Sequence, residues 1–353
     1  MLARAPVAQL ASIQILRAIA ALAIVVHHGL HEADLAARKV GSAFAWQSTL
    51  PLEAGVDLFF VISGFVMVYA SRDLFGSPAS ILPFLRRRLA RIVPIYWAAT
   101  ALFIALSFSG LAPLNRVAPS VTEIAATLAF IPYLRPDGLL QPVYGLGWTL
   151  NYEMFFYGLF ALALPLPRER AVPTVVFVLM VLVTVGQIVP PSLAAPYFWT
   201  RPIILEFGFG MLIGHMALTG VRPTRAMAAS LMLGALGLLV LGKAFPALFP
   251  DRALLYGLPA ALLVMAALSF QSDGKDHAGL RLMMRVGDAS YALYLLHPFV
   301  LRGLAVVAGT MLAGLSPVLF LAVGVTLATI VAMIVWTMFE KPVTRALQGS
   351  KKP

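Results

Sequence analysis

The 353-residue chain contains no cysteine. It can therefore form no disulfide framework, thiolate metal site, iron–sulfur cluster or enzyme-bound acyl thioester. Charge is scarce as well: Asp, Glu, Lys and Arg make up 12 % of the residues, against roughly 25 % in soluble domains. Acidic residues are the scarcer kind, 15 against 26 Lys and Arg, for a net charge of +11. Internal repeats, low-complexity tracts and any stretch resembling a soluble domain are missing too. The opening MLARAPVAQLASIQILR leads into His27, His28 and His31 without a small-residue cleavage pattern, so it does not read as a cleavable signal. These shortages exclude an ordinary cytosolic enzyme, a disordered chain and a collagen-like fibre.

Apolar residues dominate instead: 60 % of the chain is hydrophobic and the mean hydropathy is +0.89. A helix needs roughly 20 mostly apolar residues to cross a bilayer. Segments near 12–30, 54–71, 92–112, 144–164, 171–190, 202–220, 226–243, 253–270, 287–308 and 316–338 meet that description. The sequence thus predicts an all-α, polytopic integral membrane protein with about ten transmembrane helices. Residues 121–134 are broken by Pro132 and Pro136 and read as an interfacial or re-entrant piece. One membrane domain is expected over 1–353, with a basic cytoplasmic loop at about 72–92 and no appended soluble domain.

An even number of spans puts both termini on one side. Placing them in the cytoplasm puts 18 of the 26 basic residues there and eight outside, as the positive-inside rule requires. The basic excess is then loop charge. No nucleic-acid motif is present, and nucleic acid is not an expected partner.

Ionisable residues at membrane depth are expensive and mark function. Arg17 falls in the first half of the first span and His28 toward its outer end. Eleven residues of helix rise about 16 Å and return to within about 20° of the same direction, so the two share a face. His27 points roughly 80° away, and His31 is expected in the outer loop. Asp57 opens the second span. Glu153 lies just inside the fourth, with Thr149 and Tyr157 one turn away on its stripe. Glu206 opens the sixth span, and His297 shares its stripe with Ser290 and Tyr294. Arg86, Arg87, Arg88 and Arg91 cluster at the cytoplasmic end.

Six blocks, read in order, give these residues a context: IQILRAIAALAIVVHH at 13–28, GVDLFFVISGFVMVYAS at 55–71, FLRRRLARIVPIYW at 84–97, GWTLNYEMFFY at 147–157, SYALYLLHPFV at 290–300 and FEKPVTR at 339–345. Together they resemble membrane-bound acyltransferase family 3 along nearly the whole chain. That family carries an Arg, ten residues and then a His in its first span, here Arg17 and His28. The start of the first span and the short loops look most like its exopolysaccharide-production branch, which O-acetylates glycan hydroxyls. His27 departs from the family pattern, whose residue there is more often apolar or aromatic.

The resemblance implies an acyl-CoA donor, most simply acetyl-CoA, and a glycan or lipid-linked saccharide acceptor, in a multi-pass protein of a bacterial-type inner membrane. No metal is expected. Guanidinium forks suit the donor's phosphates, and Arg87 and Arg91 stand one helical turn apart. Arg86, Arg87, Arg88 and Arg91 are thus the donor-phosphate candidates, with Arg17 deeper as donor-side support. An imidazole near neutral pH suits removal of a hydroxyl proton, which nominates His28. Glu153 or Asp57 could orient the ring. His297, Tyr294 or Trp148 could supply the oxyanion donor, and Trp148, Tyr157 and Tyr294 could line the substrate site. Direct transfer and an acyl-enzyme route both remain open. The competing readings are a succinyl donor, a small-molecule acceptor, or a proton-coupled secondary transporter.

Overall fold

The computed structural model describes residues 11–39, 50–108, 119–270, 277–311 and 316–349. Among these the chain is helical, with no strand. Helix is the outcome expected of so apolar a chain, because backbone N–H and C=O groups in lipid must be satisfied within the segment. In order, the helices are α1 (Ala11–Lys39), α2 (Ala54–Ala70), α3 (Ile81–Phe108), α4 (Val121–Leu128), α5 (Trp148–Ala163), α6 (Arg168–Val185) and α7 (Ala194–Trp199). They continue as α8 (Leu205–Leu218), α9 (Arg225–Ala244), α10 (Leu258–Ala267), α11 (Ala278–Asp288), α12 (Ser290–Met311), α13 (Pro317–Val335) and α14 (Lys341–Gln348). Single π-turns precede α10 and α14, at Ala253–Gly257 and Trp336–Glu340.

Each of the ten expected spans falls on a helix, except that the end of 92–112 beyond Phe108 lies outside the described residues. Among the described residues, five helical stretches are long and apolar enough to cross a membrane: Ala11–Leu35, Pro78–Phe108, Arg225–Ala244, Ser290–Val307 and Pro317–Gln348. Three further apolar helices, at Ala54–Ala70, Pro202–Leu218 and Ala253–Ala267, are shorter.

Several boundaries differ from the sequence reading. The stretch expected as a basic loop is turn only as far as Ser80; from Ile81 it is helix, so Arg86 to Arg91 ride on the first turns of α3. Arginine is a good helix former, and hydropathy cannot see a helix extend beyond the apolar core. His31, expected in a loop, is an exposed residue within α1 for the same reason. Residues 278–288 form their own helix, α11. Within the piece read as interfacial, α4 is opened by a capping box in which Ser120 and Glu123 satisfy each other's backbone N–H groups.

The chain divides into two compact units. The first comprises Met1–Ile62 and Thr219–Met338, the second Ser63–Leu218 and Phe339–Pro353. In the first unit α1 packs on α11, α12 and α13, and α9 pairs with α10. Alanines 18, 20 and 21 on α1 are fully buried. Small residues bring the backbones close. A Cβ on Gly287 would strike the Gln14 carbonyl, and one on Gly55 would sit 2.6 Å from the Ala20 carbonyl oxygen.

The second unit has an aromatic core. Phe156 stacks on Phe207 with centroids 4.3 Å apart, and Tyr152 stacks on Phe198 at 4.0 Å. Gly64 on α2 abuts the Phe207 carbonyl on α8. Pro94 inside α3 has no N–H to offer the Ala90 carbonyl one turn back. The Thr344 hydroxyl of α14 donates to that carbonyl at 3.4 Å. Gln348 donates to the Arg87 carbonyl at 3.1 Å, and Arg86 Nε donates to the Leu347 carbonyl at 3.0 Å. The helix α14 is therefore fastened along the arginine turns of α3.

Candidate active site

The first unit holds the imidazoles. Arg17 Nη2 on α1 donates to the Ser290 hydroxyl on α12 at 2.9 Å. Two to three turns further along the same helices, His28 Nδ1 lies 3.2 Å from His297 Nε2. Arg17 and His28 therefore do share a face, and that face is turned to α12. The partners Ser290 and His297 are seven residues apart, two turns of one stripe. Ser290 and His297 are fully buried; His28 is half-buried.

Backbone carbonyls decide which ring nitrogens carry protons. His297 Nδ1 is 3.0 Å from the Leu293 carbonyl oxygen, and His28 Nδ1 is 3.0 Å from the Ile24 carbonyl oxygen. A carbonyl oxygen only accepts, so each Nδ1 bears the hydrogen. In the neutral pair the one His28 Nδ1–H is then shared between the Ile24 carbonyl and the lone pair of His297 Nε2. That leaves His28 Nε2 as the basic nitrogen of its ring. Pro298 assists locally: lacking an N–H, it removes the helical hydrogen bond to the Tyr294 carbonyl and loosens the turn that carries His297. Tyr294 itself is buried between Phe59, centroid at 6.4 Å, and the His297 ring at 6.3 Å.

Asp57 has a different partner from the one expected. Its carboxylate takes the Arg252 fork, Nε at 2.8 Å and Nη2 at 2.7 Å. Arg252 also donates to the Glu53 backbone carbonyl at 3.1 Å, and Tyr256 donates its hydroxyl to Glu53 Oε1 at 2.6 Å. Both carboxylate oxygens of Asp57 are thereby occupied by a cation, and orienting His28 falls to His297. Arg252, Glu53 and Tyr256 were missed from sequence. Arg252 counted there only as a basic residue outside the membrane, and nothing in local spacing links positions about 200 apart in the chain.

The second unit holds the remaining candidates. Ser63 donates to Glu153 Oε1 at 2.5 Å, and the Tyr157 hydroxyl lies against the same carboxyl one turn on. Arg88 and Arg91 are its cationic neighbours. The guanidinium of Arg88 lies over the Phe84 ring, 5.5 Å from its centroid. Within the second unit Glu153 thus keeps company with Ser63, Tyr157, Arg88 and Arg91. Arg86 and Arg87 are exposed, Arg88 and Arg91 partly buried. Trp148 is half-buried, edge-on to Tyr152 at 6.0 Å. Glu206 is fully buried in α8. Among the described residues, no three His, Asp or Glu side chains gather as metal ligands would.

The family model described as "Acyltransferase domain", that of acyltransferase family 3, matches residues 10–337. The exopolysaccharide production protein ExoZ of Rhizobium meliloti (strain 1021) is 38 % identical over 298 residues, which is 83 % of this chain and 89 % of that protein. Acyltransferase MdmB of Streptomyces mycarofaciens is 29 % identical over an alignment of 381 positions, covering 98 % of this chain and 94 % of that protein. No solved structure matches.

Proposed function

The chain belongs to acyltransferase family 3, and from that membership and the histidine pair we propose that it moves an acetyl group from acetyl-CoA to a hydroxyl of an exopolysaccharide or its lipid-linked precursor. The observation that carries the mechanism is the His28–His297 contact of 3.2 Å, with both Nδ1 atoms on backbone carbonyls. It leaves His28 Nε2 able to take a proton. The likeness to the exopolysaccharide production protein supports a glycan acceptor.

The transfer step balances without an added reagent. His28 Nε2 removes the acceptor's hydroxyl proton as its oxygen attacks the thioester carbonyl. A C–O bond forms and the C–S bond breaks. The departing CoA thiolate then collects the proton from His28. While His28 is cationic, its Nδ1–H donates to His297 Nε2, a fixed neutral acceptor that spreads the charge in a buried setting. His297 acts through His28 and is a positioning residue. Arg17, tied to Ser290, stands on the same face at a different depth and supports the donor. Asp57 keeps the Arg252 segment in place.

On the donor side, Arg87 and Arg91 are the phosphate ligands, one turn apart on α3. Arg88 is held by Phe84, Tyr157 and Glu153, and completes the group. Arg86 spends its Nε on α14. The same proposal puts the protein in a bacterial inner membrane, with about ten spans and both termini in the cytoplasm, where acyl-CoA is made.

The test is CoA release from acetyl-CoA by purified protein in lipid. Wild type and His27→Ala are expected to release CoA, with release lost in His28→Ala. An unimpaired His28→Ala variant, or wild type that neither binds nor turns over acetyl-CoA, would overturn the reading.

A further inference from the structure

Next to His28 the first unit carries a polar group that the transfer step does not use. The rings of His27 and His28 are edge to face, 5.3 Å between centroids. His27 Nδ1 faces Glu53 Oε2 at 3.8 Å. Both atoms are buried, and neither has a hydrogen-bond partner among the described residues. Buried polar atoms left unsatisfied are uncommon and call for an explanation.

Glu53 is held firmly by everything around that open oxygen. Its other carboxylate oxygen accepts from Tyr256 at 2.6 Å, and its backbone carbonyl accepts from Arg252 at 3.1 Å. Arg252 is itself fixed by the two-point pair with fully buried Asp57. The Glu53 carboxylate is thus aimed, with one oxygen open toward an imidazole nitrogen. A separation of 3.8 Å is too long for a hydrogen bond between the two atoms. It is short enough for both to reach a single hydroxyl oxygen. A hydroxyl suits such a pair, since it donates to the carboxylate while interacting with the imidazole nitrogen through its other capacity.

We infer that His27 Nδ1 and Glu53 Oε2 form a subsite for a hydroxyl of the acceptor, an uncharged sugar ring, beside the ring of His28. The inference rests on the acyltransferase reading and adds the place and chemistry of acceptor binding. A neutral polyol gains one ligand that donates and one that accepts, and brings no charge of its own to the pair. Fixed polar groups of this sort set orientation in ligand sites.

The experiment measures CoA release in lipid from saturating acetyl-CoA, with methyl α-glucoside as the acceptor probe. Wild type is compared with Glu53→Gln, His27→Asn and, as a control, Glu32→Gln on α1, whose carboxylate pairs with Arg302 of α12. Thermal melts establish that each variant is folded. The expected result is a KM for the glucoside raised about tenfold in Glu53→Gln and His27→Asn, one hydrogen bond's worth, with kcat changed much less. Glu32→Gln should keep the wild-type KM. A KM unchanged in both subsite variants would overturn the inference, as would wild-type turnover that ignores the glucoside. Wild type that releases no CoA under any condition would sink the underlying acyltransferase reading instead, and is told apart by that blank.

Discussion

At the scale of single residues, the Nδ1 contacts give His28 and His297 different parts, with Nε2 of His28 as the basic nitrogen and Nε2 of His297 as an acceptor. Loss of a general base typically costs about 10²–10⁴ in rate, and His28→Ala should fall in that range by steady-state kinetics. His297→Ala should lose less, because the base remains while its Nδ1–H loses an oriented acceptor. His297→Asn offers an amide oxygen at a similar place and should recover part of kcat, with KM for acetyl-CoA unchanged. Equal activity of His297→Ala and wild type would rule out the positioning role. Glu53, in the turn ahead of α2, gives a pH signature. Burial raises its pKa, but the Tyr256 hydroxyl, a backbone N–H, Lys243 and His27 together outweigh that and hold it below its ordinary 4.5. An acid depressed by folding contributes stability that is complete above the unfolded value and is lost as pH falls through the folded one. Melting temperatures of wild type should therefore drop on acidification below about pH 4.5 more than those of Glu53→Gln. Parallel curves would show that the carboxylate contributes nothing.

At the scale of helices, close backbone approach and the Pro94 break make the sharpest predictions. Gly64→Ala places a methyl against the Phe207 carbonyl, so α2 and α8 must part. Overpacking of this kind costs typically about 1–3 kcal/mol. Gly237 on α9 has open space where a Cβ would go, and Gly237→Ala should be neutral or stabilise by up to about 1 kcal/mol through helix propensity. Unfolding in mixed micelles would order the two variants; the reverse order would contradict the packing described. Thr344→Val removes the donor to the Ala90 carbonyl left over at Pro94. It should loosen α14 at a cost of about 1 kcal/mol, seen as faster tryptic cleavage after Arg345. Protection equal to wild type would mean that the hydrogen bond does not fasten the helix.

At the scale of the whole molecule, the absence of cysteine makes the chain its own background for labelling. The proposed ten spans with cytoplasmic termini predict Ser192 outside and Arg222 inside, with one crossing between them that includes the short helix α8. In intact cells, an impermeant maleimide should modify Ser192→Cys, and Arg222→Cys only after permeabilisation. Labelling of both from one side would show that α8 does not cross. Within the first unit, Arg17 with Ser290 and His28 with His297 pair α1 and α12 in the same direction.

Hydropathy alone located nearly every apolar helix, because lipid leaves the backbone no alternative to helix and the signal is a sum over about 20 local residues. Helical periodicity likewise put Arg17 and His28 on one face, since eleven residues nearly complete three turns. Family likeness was legible in six blocks for the same reason: each is contiguous. Partners were a different matter. That His28 meets His297, that Asp57 takes Arg252, and that Glu153 sits with Ser63 and Arg88 are pairings across about 65 to 270 positions of chain. Nothing in the local pattern of either partner specifies the other. The polar ends of α1 and α3 and the separate α11 were hidden for a related reason: hydropathy measures the apolar slab, whereas these turns are held by capping, arginine side chains and packing. Tertiary structure alone decided which carboxylate holds a cation and which nitrogen of His28 is left to accept a proton, because both follow from what the folded chain brings within about 3 Å.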